Sequence, residues 1–191
     1  MTTTQDVIKT RRPNPRYPVI KLITERFSPR FFTGEVKDED LNSIFEAARW
    51  TPSAYNYQPW FFYWAKNSDK SFNNIIDCLP EFNQWAKTAA VLIIACYIDK
   101  NENGKIKYAR YDLGASVISL ILQAQSLGYY ARQMAVFDKR KLKTLIKFEN
   151  FHEPYIVVAL GKLGDYRKID KQLLQRELNC HSRKPQIARK L

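Results

Sequence analysis

The side chains that ordinarily carry out chemistry are sparse here and badly spaced for it. The two histidines, His152 and His181, lie far from any serine with glycine on both sides, so the relay of a serine hydrolase cannot be assembled. Cys78, Cys96 and Cys180 are scattered, odd in number and free of any Cys-x-x-Cys pair, which supports neither a disulfide framework nor a metal site. The six glycines, Gly34, Gly104, Gly114, Gly128, Gly161 and Gly164, never form a phosphate-cradling loop. No paired-carboxylate motif is evident. An enzyme made from this chain has no catalytic side chain to point to, and would leave the difficult step to an organic cofactor that the protein binds and orients.

Four segments hold the remaining signal. They are Glu25-Arg26-Phe27-Ser28-Pro29-Arg30-Phe31-Phe32, then Ala47-Ala48-Arg49-Trp50-Thr51-Pro52-Ser53-Ala54-Tyr55-Asn56-Tyr57-Gln58-Pro59-Trp60, then Asp112-Leu113-Gly114-Ala115, and last Ala131-Arg132-Gln133-Met134-Ala135-Val136-Phe137-Asp138. In that order and spacing they resemble the nitroreductase family of FMN enzymes, over roughly residues 18–185. Pro-Ser-x-x-Asn-x-Gln-Pro-Trp is the most specific piece. The resemblance implies an α+β fold with a central mixed or antiparallel sheet flanked by helices, in an intertwined homodimer. It also implies FMN as cofactor, with NADH or NADPH as electron donor. The activity would be a two-step exchange of two electrons with a small organic acceptor, nitroaromatic or quinone-like, its chemistry at flavin N5.

The resemblance also assigns roles. FMN ends in a phosphate dianion, and its reduced ring holds negative charge near N1 and the C2 carbonyl, so cations are wanted at both places. Arg26 and Ser28 would grip the phosphate, and Arg30 would reach the ring pyrimidine. The loop with Pro52, Ser53, Ala54 and Asn56 would be lent to the site by the second subunit, Asn56 offering an amide that donates and accepts; Ala54 stands where relatives often have a hydroxyl residue. Asn83 aligns with a contact to the pyrimidine edge. Met134, Ala135 and Val136 match the backbone beside N5, with Val136 where related sequences commonly have Gly. In His181-Ser182-Arg183-Lys184-Pro185, Arg183 would close over the phosphate, with Lys184 and His181 as helpers. Arg132, Lys87, Tyr55, Tyr57, Phe61 and Trp85 are candidates to shape the acceptor pocket. Without the resemblance, Arg26 to Arg30 reads equally as a solvated basic helix end, 52–60 as a helix-ending turn, Met134 as a core strand end and the tail as a charge run.

The elements that must position these groups follow from periodicity. Residues 1–17 lack an apolar pattern and read as a polar arm, ordered only against something else. A folded unit over 18–165 begins with a short helical face from Val19, Ile20, Leu22 and Ile23, ended at Ser28-Pro29. A helix opens at Lys37-Asp38-Glu39-Asp40 with Leu41, Ile44, Phe45 and Ala48 as its apolar stripe. The spacing predicts strands over 60–65, 91–97, 129–134 and 155–160, helices over 72–79, 112–127 and 139–147, and a surface loop over 101–105. Residues 166–191 form a basic extension without core pattern, either free or wrapped around a partner subunit.

Composition bounds the remainder. At 191 residues, 45% hydrophobic, one core and one domain are expected. The longest apolar stretch, 89–98, is about half of what a bilayer requires, and the basic start lacks an apolar signal core, so a cytoplasmic protein is expected. A net charge of +12 attracts phosphate-bearing partners. Two other readings stay open: a flavin-binding protein that stores or oxidatively degrades flavin, and a basic nucleic-acid-binding module. No zinc-finger, basic-zipper or single-stranded RNA signature accompanies the charge, so nucleic acid is not the expected partner.

Overall fold

The run Val91–Ile98 has no polar side, and a strand of that composition must be covered on both faces. It lies at the heart of an antiparallel sheet in this computed structural model, which describes residues 2–179, 183–185 and 187–190. This strand, β3, pairs with β2 (Trp60–Lys66) on one side and with β7 (His152–Leu163) on the other; β1 (Phe32–Thr33) and β6 (Tyr130–Met134) also pair with β7. Every pairing is antiparallel.

Strand alternation divides the core in two. Val91, Ile93 and Ala95 of β3, with Val158 and Leu160 of β7, face helices α3 (Asp38–Arg49) and α5 (Ala109–Ser126) through Leu41, Ile44, Ala48, Leu113, Val117 and Leu120. Leu92, Ile94, Cys96, Val157 and Ala159 point the other way, onto α4 (Lys70–Ile76), α6 (Lys139–Leu145) and a 3-10 turn at Glu81–Thr88. Each branched side chain buried in these layers contributes about 1.5–3 kcal/mol. The fold is the expected α+β class with helices on both faces of an antiparallel sheet. Gly128, at φ +80°, ends α5 in a conformation few other residues adopt and turns the chain into β6.

Differences from the sequence reading have local causes. The loop at 101–105 is a minimal hairpin, β4 (Lys100–Asn101) with β5 (Gly104–Lys105), because Gly104 takes φ +107°. β7 is longer than 155–160 because three other strands pair along it.

The termini differ most. Within 1–17, read as an arm without order of its own, Thr4–Arg11 is a helix, α1, started by a capping box in which Thr3 and Asp6 exchange hydrogen bonds. Val7, fully buried, is its one core residue. The Thr4 hydroxyl donates to the Gly164 carbonyl at 3.1 Å, and Arg11 Nη1 donates to the Asn179 carbonyl at 2.7 Å. The basic extension likewise holds a helix, α7 (Lys171–Leu178), capped by Asp170 and packed against α1 of its own chain. In α1 a single core residue and a polar lock leave no periodicity to read; in α7 Leu173, Leu174 and Leu178 stand among polar and charged residues, and the side chain it buries fully is Glu177, which reads as surface.

Candidate active site

Helix α2 (Lys21–Glu25) stops at Arg26, whose backbone is extended. Arg26 Nη1 donates to the Ser28 hydroxyl at 3.3 Å, fixing both side chains on one wall. That wall bounds a cavity of about 740 Å³, lined also by Thr10, Arg11, Arg12, Pro13, Asn14, Pro15, Val19, Ile23, Thr24, Phe27, Arg132, Gln133 and Arg183. Sites for cofactors and small ligands fall in this size range.

The electrostatics of the cavity are one-sided. Among the described residues five arginines line it and no carboxylate does, with Glu25, which pairs with Arg12 at 3.6 Å, just off the wall. Burial, and then the Arg183 and Arg11 guanidiniums, hold Arg26 below the usual arginine pKa. Arg132 is pushed down to about 10 by burial and by Arg30, with partial relief from Glu177. Both remain charged at neutral pH, and an anion entering the cavity would relieve their mutual repulsion. Phe27 packs under this group, 5.2 Å from the Tyr130 ring and 5.6 Å from the Arg11 guanidinium. Cations at one end and apolar or aromatic surface beside them suit a flat molecule bearing a phosphate.

The residues singled out from sequence are thus partly gathered. Arg26, Ser28 and Arg183 share the cavity. Arg30 does not line it: its Nη1 donates to Glu177 Oε1 at 2.9 Å and to the Arg176 carbonyl at 3.3 Å, and its backbone N–H donates to Glu177 Oε2 at 3.1 Å. The Tyr166 hydroxyl donates to the same carboxylate at 2.9 Å, and Glu177 is 1% exposed. Lys184 is exposed and off the wall, and His181 lies outside the described residues. Asn83 is buried in the Glu81–Thr88 turn. Met134 is buried at the end of β6, next to the cavity-lining Gln133, and Val136 is 58% exposed just beyond.

Pro52, Ser53, Ala54 and Asn56 stand apart from the cavity. Their loop is anchored to α5, where the Ala54 N–H donates to Asp112 Oδ2 at 3.2 Å, and is closed by the Gln58 N–H donating to the Ser53 hydroxyl at 2.9 Å. Tyr55, Asn56 and Gln58 all have positive φ, 53°, 55° and 48°. Three non-glycine residues in that region store on the order of 1–3 kcal/mol each, a cost usually met at working sites.

Sequence reasoning missed Arg11 and Arg12 as wall residues, because they lay in the supposed arm. Their clustering in sequence with Arg16 was the available signal. Lys87 and Trp85 belong to the same 3-10 turn as Asn83, and Trp85 is a buried platform beneath Arg132, 5.5 Å from its guanidinium. Among the described residues no group of histidine, cysteine, aspartate and glutamate is arranged to hold a metal ion, and no helix is long and apolar enough to cross a membrane.

Comparison with known proteins adds four findings. The family model described as Nitroreductase family matches residues 23–82 and 79–162. A crystal structure of an oxidoreductase containing FMN superposes with a TM-score of 0.83 at 31% identity, covering 95% of this chain and 93% of that one. An uncharacterized 15.4 kDa protein of Mycolicibacterium smegmatis is 32% identical over 59% of this chain and 76% of its own length. A protein of Archaeoglobus fulgidus provisionally named NADH dehydrogenase/NAD(P)H nitroreductase is 27% identical over 82% and 89%.

Proposed function

The chain belongs to the nitroreductase family, and from that premise we propose that it binds FMN and moves two electrons from NADH or NADPH to a small organic acceptor, nitroaromatic or quinone-like. The observation that carries this reading is the cavity where Arg26, Ser28 and Arg183 meet, cationic at one end and flanked by Phe27. The donor set fits a phosphomonoester joined to a flat ring.

Bound there, FMN would supply the two-electron chemistry, taking hydride from the dihydronicotinamide and returning it to the acceptor. The protein's part is to hold and orient. Arg26 and Arg183 neutralise the phosphate, and the Ser28 hydroxyl adds a short-range contact. Met134, Ala135 and Val136, at the end of β6, offer main-chain groups to the ring edge. Donor and acceptor occupy the same open face in turn, a ping-pong order that needs no proton-transferring side chain in its first half.

The working unit in this proposal is a homodimer built on the domain over 18–165. Helix α5 presents Tyr111, Ala115, Ile118 and Leu122 on its outward side, and Trp50, Tyr55 and Tyr108 stand exposed nearby. An exposed apolar surface of this kind marks an association face. The strained 53–58 loop, held on that same helix, is then placed to reach the partner's cavity with Asn56.

Anaerobic titration of the purified, flavin-loaded protein with each nicotinamide tests the reading. The expected result is bleaching of the oxidised flavin band with one equivalent of NADH or NADPH, and its return when a quinone is added. A protein that takes up no flavin on reconstitution, or one whose flavin neither nicotinamide reduces, overturns it.

A further inference from the structure

We propose that Arg132, and not Arg30, is the cation that faces the pyrimidine edge of the bound ring, at N1 and the C2 carbonyl. The inference rests on the FMN reading above and assigns a further positioning and binding residue within that site.

Three observations lead to it. First, Arg30 is already paired: Glu177, 1% exposed, takes its Nη1 and its backbone N–H together, its Nε is buried without a hydrogen-bond partner among the described residues, and Arg30 does not line the cavity. A buried guanidinium paired in this way leaves little field for a second anion. Second, Arg132 does line the cavity, carried there by β6 beside Gln133. Its Nη1 donates to the Ser28 carbonyl, and its plane lies over Trp85, 5.5 Å from the ring centre. Among the described residues it makes no ion pair. A flat, pre-oriented fork with donors to spare is the form of cation that matches an N1–C2=O edge.

Third, Ser28 joins the two guanidiniums through different atoms: its hydroxyl accepts from Arg26 and its carbonyl accepts from Arg132, with Arg11 close enough to act on both. A phosphate held by Arg26 and Arg183 leaves Arg132 for the other charged part of the same molecule. Once reduced by the dihydronicotinamide, which would leave oxidised, the bound ring would carry negative charge near N1 and C2. Arg132 would favour that charged form over the oxidised one.

The test compares wild type, Arg132→Gln, Arg132→Lys and Arg26→Ala, each checked for folding by circular dichroism. Affinities for FMN and for riboflavin are read from flavin fluorescence, and midpoint potentials by anaerobic dye equilibration. Arg132→Gln should weaken the reduced flavin about tenfold more than the oxidised one, moving the potential about 30 mV negative for a two-electron couple. It should also weaken riboflavin and FMN in parallel, with the potential recovered in Arg132→Lys, whereas Arg26→Ala weakens FMN alone. An unchanged potential in Arg132→Gln, or a loss for FMN without a loss for riboflavin, overturns the proposal. If Arg132→Gln does not fold, Arg132→Lys decides by the same flavin comparison: loss of the flat fork must lower both affinities together. Failure of wild type to take up either flavin would instead refute the FMN reading itself.

Discussion

A buried guanidinium is neutralised by whichever carboxylate the fold brings to it, and at Arg30 that carboxylate is Glu177, 147 residues away in sequence. No local pattern announces such a pairing, so the Arg26, Ser28 and Arg30 triplet reads as one site although the structure divides it. Arg26 and Ser28, assigned through the resemblance, do share a wall, since their hydrogen bond spans only two residues. The Glu177 carboxylate accepts from the Arg30 guanidinium, the Arg30 backbone and the Tyr166 hydroxyl. Removing its charge strands a buried cation. Glu177→Gln should therefore lower stability by about 3–5 kcal/mol, read as a lower urea midpoint with an unchanged slope. A shift of less than about 1 kcal/mol would show that the pair is as weak as one on the surface.

At the level of elements, the strands and long helices were readable because each obeys one period. The unbroken apolar run of β3 demands two covered faces, and the stripe Leu41, Ile44 and Ala48 demands one. The first helix obeys no such rule. Helix α1 owes its place to the Thr3–Asp6 capping box, to Val7 and to hydrogen bonds that reach α7 and the Gly164 turn. Its consequence for the site is large, since α1 delivers Thr10, Arg11 and Arg12 to the cavity wall. A carboxylate at Val7 would have to be desolvated without a partner. Val7→Asp should release α1 while the sheet persists, exposing the Arg11 region to trypsin under conditions where wild type is resistant and lowering flavin affinity several-fold. Equal resistance of the two proteins would mean that α1 is held by its polar contacts alone.

For the whole molecule, the proposed site draws on two chains. The cavity gathers positive charge, while the strained loop that carries Asn56 projects from a different face beside exposed aromatic side chains. The resemblance alone assigned that loop to the site, and one chain's geometry leaves it outside; in the proposed homodimer a second copy seated on α5 would reconcile the two. Tyr111 is 80% exposed and Ile118 39%, on a helix whose inner side is fully packed. Their substitution should leave the fold intact and act on association. Tyr111→Glu with Ile118→Glu sets like charges across a two-fold face, where juxtaposed like charges cost several kcal/mol. Light scattering should then report a monomer with an unchanged circular dichroism spectrum, and flavin uptake should fall together with the dimer, because the partner's Asn56 loop is lost. A monomeric variant that loads FMN fully would place the complete flavin site within a single chain.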